Sequence, residues 1–77
     1  MDIQKVIDGL DALYAERQSE KVEDYLSSNL EQALQEKDVG SAITIINELI
    51  GFYRDASQYD KAQIYCEKLL PFMERAG

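Results

Sequence analysis

The stretch that most constrains this chain is SAITIINELIGFYRDA, residues 41–56. Ala42, Ile43, Ile45, Ile46, Leu49, Ile50, Phe52, Tyr53 and Ala56 are apolar, and Thr44, Asn47, Glu48, Gly51, Arg54 and Asp55 fall between them at steps of three and four. At the helical period this predicts a helix covered on most of its circumference, with one narrow polar stripe. In a chain of 77 residues such a helix has to lie in the middle, so the other segments read as its cover. One domain of that size hides only about 60–65% of the surface its unfolded form exposes. Modest stability, or support from self-association, is expected.

Three more helices are predicted. Asp2 is placed to cap the first, over about residues 3–17, where Ile3, Val6, Ile7, Leu10, Leu13 and Tyr14 recur at threes and fours. Gly9 costs it about 1 kcal/mol relative to Ala and reads as tolerated. Ser19 is the expected N-cap of a second helix reaching about Lys37, with Val22, Tyr25, Leu26, Leu30, Ala33 and Leu34 apolar and Asn29 at the core edge. Gly40 reads as the hinge of a tight connection, with Ser41 capping the central helix. Ser57 and Asp60 are spaced as a capping box for the fourth helix, which sets Tyr59, Ala62, Cys66, Leu69 and Met73 on one seam. Cys66 is therefore expected to be a buried thiol. Pro71 removes a backbone donor inside this helix, so a kink or stop is expected near residues 67–70. Helices joined by turns this short form antiparallel neighbours.

An internal repeat is present. Ile7, Leu10 and Tyr14 recur 39 residues later as Ile46, Leu49 and Tyr53, and Val22, Tyr25, Leu26 and Leu30 recur at an offset of 40 as Ala62, Tyr65, Cys66 and Leu70. One helix pair is used twice. The second pair, with Ile46, Leu49 and Tyr53 followed by Gln58, Tyr59, Asp60, Lys61 and Ala62, resembles the tetratricopeptide repeat family. Its length is similar to the kinesin light chain type of that repeat. The resemblance implies an all-α domain over residues 1–77, with four antiparallel helices stacked as two helix-turn-helix units, about 3–37 and 41–76. These units would form a short right-handed superhelical array. It also implies a protein- or peptide-binding scaffold in which the first helix of each pair lines a concave face.

Charge and composition exclude several classes of function. The net charge is −7, from 15 acidic and 8 basic side chains, and residues 1–38 carry −6 of it. Nucleic acid is not expected as a partner, because displacing its counterions needs a basic surface; a protein or peptide, basic in character, is. No apolar run approaches the roughly 20 residues of a membrane span, and no basic leader precedes an apolar segment, so a cytoplasmic location is expected. Cys66 is alone and histidine is absent. No thiol–imidazole pair, metal-ligand cluster or Gly-rich phosphate loop can be assembled, so no enzyme, metal or cofactor is expected.

The polar stripe of the central helix is the candidate site. On the family's geometry Thr44, Asn47, Glu48, Gly51, Arg54 and Asp55 lie beside Asp8, Ala12 and Glu16 of the first helix. An Asn amide pairs with both N–H and C=O of a peptide backbone, and an Arg holds a carboxylate by two parallel bonds. Gly51 lets a ligand backbone come close. The alternative expectation is assembly, with Ile64, Tyr65, Phe72 and Met73 of the last helix pairing with a second copy in a homodimer or with further repeats of a longer array.

Overall fold

The computed structural model describes residues 1–76, with side chains through Phe72. The predicted periodicities become four helices: α1 (Ile3–Ala15), α2 (Ser19–Gln35), α3 (Val39–Asp55) and α4 (Tyr59–Ala76). The chain is all-α, with no strand among the described residues, and the helices pack in chain order, α1 on α2, α2 on α3 and α3 on α4. The Cα atoms extend 35 × 28 × 17 Å. The shortest dimension is that of two helix layers, given helix axes about 8–10 Å apart.

The three connections are built alike. Arg17, Lys37 and Ser57 occupy left-handed backbone at φ 57°, 58° and 60°, spaced 20 residues apart. Each donates its N–H three residues back, to the carbonyls of Tyr14, Leu34 and Arg54 at 3.0–3.1 Å. The following residues Gln18, Asp38 and Gln58 donate five back, to Leu13, Ala33 and Tyr53, at 2.8–2.9 Å. These paired bonds are Schellman turns, which satisfy the last carbonyls of each helix. Glycine usually takes the left-handed place because an L side chain there costs about 1–2 kcal/mol. Lys37→Gly is accordingly expected to raise stability by about 1 kcal/mol, and Lys37→Val to lower it, as read from urea denaturation midpoints.

Turn and cap therefore fall elsewhere than the sequence suggested. Gly40 lies inside α3, and the hinge is Lys37. Asp38 is the N-cap of α3, accepting the Ser41 N–H at 3.2 Å and the Ser41 hydroxyl at 2.7 Å, so Ser41 is a buried partner of the cap. Gln18 occupies the N-cap place of α2 without a side-chain bond, and Ser57 is the left-handed residue of the third turn. Asp2 caps α1 as expected, accepting the Lys5 N–H at 3.3 Å. α4 runs through Pro71.

The core is centred on α3. Ala42, Ile45, Ile46, Leu49 and Tyr53 are buried there against Val6 and Leu10 of α1, Val22, Leu26, Leu30 and Ala33 of α2, and Ala62 of α4. Asn29 sits at the core edge and donates its amide to the Tyr25 carbonyl at 2.8 Å. Gly9 is required by packing: a Cβ there would overlap the Tyr25 hydroxyl and come within 3.0 Å of its Cζ, and that hydroxyl donates to the Val6 carbonyl at 2.7 Å. Cys66, expected inside, is exposed. Its neighbours Ala62 and Leu69 face α3, while Cys66 lies one step further round the helix and clears it.

A charged cluster ties the start of α1 to the α2–α3 turn. The Met1 ammonium lies 3.0 Å from Glu36 Oε1 and 3.2 Å from Asp38 Oδ2. Its pKa is raised, first by the hydrogen bond to Glu36 and then by that to Asp38. The Glu36 carboxyl is lowered, first by the Gln32 amide and then by the ammonium; Asp38 is lowered first by the Ser41 hydroxyl and then by the Ser41 N–H. Lowered acids contribute stability above their ordinary range that is lost as pH falls through their folded values. A raised amine contributes below its ordinary value, and its share is lost as pH rises through the folded one. A stability plateau is thus expected from about pH 5 to 8, falling on both sides, with the part of the alkaline fall that begins near pH 8 removed by N-terminal acetylation. Urea midpoints across pH check it.

Candidate functional site

α3 turns its apolar residues toward the core and leaves the predicted polar stripe on the surface. Asn47, Arg54 and Asp55 are exposed, and Thr44, Glu48 and Gly51 are half-buried. The Thr44 hydroxyl is engaged, donating to the Gly40 carbonyl at 3.1 Å. Asn47 and Arg54 form no side-chain hydrogen bond or ion pair among the described residues, so their donors are turned to solvent. Between them, a Cβ built on Gly51 meets nothing within 4 Å, and its φ is not positive. Neither packing nor backbone conformation requires a glycine, although one in mid-helix costs about 1 kcal/mol relative to Ala.

The contribution of α1 differs from the expected one. Tyr14, in the last turn of α1, lines a groove with Phe52 and Asp55 of α3, and its hydroxyl pKa is raised first by burial and then by the fields of Glu48 and Asp55. Tyr14 is still 44% exposed. Asp8 is engaged on its own helix, accepting the Gln4 amide at 2.9 Å, and its field falls on Tyr25 of α2. Ala12 and Glu16 are exposed. No bond ties Asp8, Ala12 or Glu16 to the stripe among the described residues. Beyond the stripe, a groove of about 400 Å³ is lined by Tyr14, Ser19, Glu20, Phe52, Asp55 and Ala56. Asp55 joins stripe and groove. Tyr14 and Glu20 were not legible as site residues, because their place depends on how the first connection meets the end of α3.

An exposed amide and guanidinium flank an open backbone position, an aromatic ring lies to one side, and carboxylates at Glu20, Glu48 and Asp55 give the surface an acidic character. Among the described residues no three His, Cys, Asp or Glu side chains converge, and no helix is long and apolar enough to cross a membrane.

The residues expected to mediate assembly are divided. Ile64 is 50% exposed. Tyr65 stacks on Tyr53 with ring centroids 5.6 Å apart, beneath Lys68 Nζ at 4.8 Å, and Phe72 packs against the core. The Met73 side chain lies outside the described residues. Burial, followed by the fields of Glu23 and Tyr65, pushes the Tyr53 hydroxyl well above its ordinary range. These tyrosines are thus packing groups between α3 and α4. Compared with protein-family models, with curated proteins and with solved structures, the chain matches none.

Proposed function

We propose that this domain is a non-enzymatic scaffold of tetratricopeptide-like arrangement that binds an extended, basic peptide along the open stripe of α3. The observation that carries this reading is Gly51, an uncrowded glycine in the middle of the central helix, between two polar side chains with no hydrogen bond or ion pair among the described residues. A ligand backbone approaching Gly51 comes within reach of the Asn47 amide, whose C=O and NH₂ complement a peptide group. Arg54 takes a carboxylate or carbonyl of the ligand. Lysines or arginines of the peptide pair with Glu48, Asp55 and Glu20, and such pairs on an open surface weaken with salt.

An array of immobilised peptides, ranging from Lys-rich to Glu-rich, tests it. The wild-type chain is expected to retain basic peptides. Asn47→Ala and Arg54→Ala are each expected to weaken retention by about tenfold, the worth of about 1.4 kcal/mol. Both side chains are exposed, so helical circular dichroism is expected to stay unchanged. Equal retention by wild type and both variants overturns the assignment.

A further inference from the structure

Three helices meet at one open groove. Phe52 and Asp55 stand three apart at the end of α3 and so share a face. The turn at Arg17, left-handed at φ 57°, reverses the chain after α1, and Ser19 and Glu20 at the start of α2 line the same groove as Tyr14. Its volume is about 400 Å³, ample for one long side chain. Two aromatic rings come from different helices. Phe52 is half-buried, packed on the core and in edge contact with Tyr53, with ring centroids 5.5 Å apart and planes at 61°. Tyr14 is exposed. Glu20 and Asp55 are exposed too, and neither carboxylate has a hydrogen bond or ion pair among the described residues. No lysine or arginine is among the residues that line the groove.

From this we infer that the groove is a binding site for one arginine side chain, its guanidinium lying against Tyr14 and Phe52 and donating to Glu20 and Asp55. The inference deepens the peptide reading and rests on it for the path of the ligand's other residues. A guanidinium is flat and stacks on an aromatic face, and its five N–H groups form a fork that serves two carboxylates at once. A lysine ammonium is a compact, strongly hydrated charge and does less of either. A quaternary ammonium would use the rings but has no N–H to give the acids. The start of α2 brings the positive end of its macrodipole to the groove and the end of α3 brings a negative one, so the two offset and the carboxylates decide the sign. The fields of Glu48 and Asp55 at the Tyr14 hydroxyl have that same sign.

The probe is arginine capped as its N-acetyl methylamide, titrated into the full chain and followed by the NMR shifts of the Tyr14 and Phe52 rings. Saturable shifts are expected, with capped lysine at least about fivefold weaker and capped citrulline, the uncharged isostere, not saturating. Glu20→Gln and Asp55→Asn are each expected to weaken arginine binding by about fivefold, and Tyr14→Leu by about threefold. Circular dichroism is expected to stay unchanged, since all three side chains are exposed. Glu31→Gln removes the same charge from an exposed place further along α2 and is expected to leave binding as it was. Three results overturn the inference: no saturable shift, equal binding of citrulline and arginine, or equal losses for Glu31→Gln and Asp55→Asn. Peptide retention by the Asn47 and Arg54 variants is a separate readout, so a chain that binds capped arginine but retains no basic peptide loses the stripe and keeps the groove.

Discussion

Leu49→Ala is expected to cost about 2–5 kcal/mol, the range for removing a fully buried leucine when the cavity collapses only partly. Leu49 is fully buried at the centre of α3, the helix that contributes the most residues to the core. The whole domain should be worth about 4–12 kcal/mol if it follows the usual stability per residue. The substitution therefore removes a large share of the total, and a substantial unfolded fraction is expected at moderate urea. Leu70→Ala provides the contrast. Its side chain is 60% exposed, and a change within about 0.5 kcal/mol is expected. Comparable losses for the two leucines, measured by urea denaturation, would contradict the placement of the core.

The second large effect is expected at Gly9. Alanine favours the helix by about 1 kcal/mol, yet Gly9→Ala is expected to destabilise by about 1–3 kcal/mol net, because the new Cβ displaces the tyrosine ring and breaks its hydrogen bond. The groups involved are Tyr25, lying across the glycine, and the Val6 carbonyl that its hydroxyl reaches at 2.7 Å. Removing the hydroxyl first changes the outcome. In a Tyr25→Phe background the most severe overlap is gone, so Gly9→Ala is expected to cost less than in wild type, and the double-mutant cycle should show a coupling of about 1 kcal/mol. Strict additivity would mean that the two residues do not touch.

Legibility in the sequence followed the range of the interaction. The helices were readable because α1, α2 and α3 each carry an apolar period, and α3 is apolar nearly all round. The connections are not, since glycine is the usual marker of left-handed backbone and the chain uses Arg17, Lys37 and Ser57 there. Their regular spacing of 20 residues was the available signal. The role of Gly9 has no local mark, because its partner, Tyr25, lies on another helix. Cys66 shares a line with Ala62 and Leu69 in sequence, but a helix that packs mainly on one neighbour buries only part of so broad a face. Within the site, the stripe itself followed from the period of α3. The groove that Tyr14 shares with Phe52 and Asp55 is a product of tertiary packing and has no local signature.

Gly9 and Gly51, each in the middle of a helix, thus stand in opposite positions. Gly9 is held by a tyrosine, and Gly51 is held by nothing in the fold. If the open face of α3 is surplus to folding and kept clear for a ligand, its glycine is a pure cost to the free protein. The most direct measurement is the urea denaturation midpoint of Gly51→Ala. A rise corresponding to about 1 kcal/mol, with unchanged slope, is predicted from helix propensity alone. A fall in the midpoint would contradict the account, because it would show that the fold itself needs Gly51.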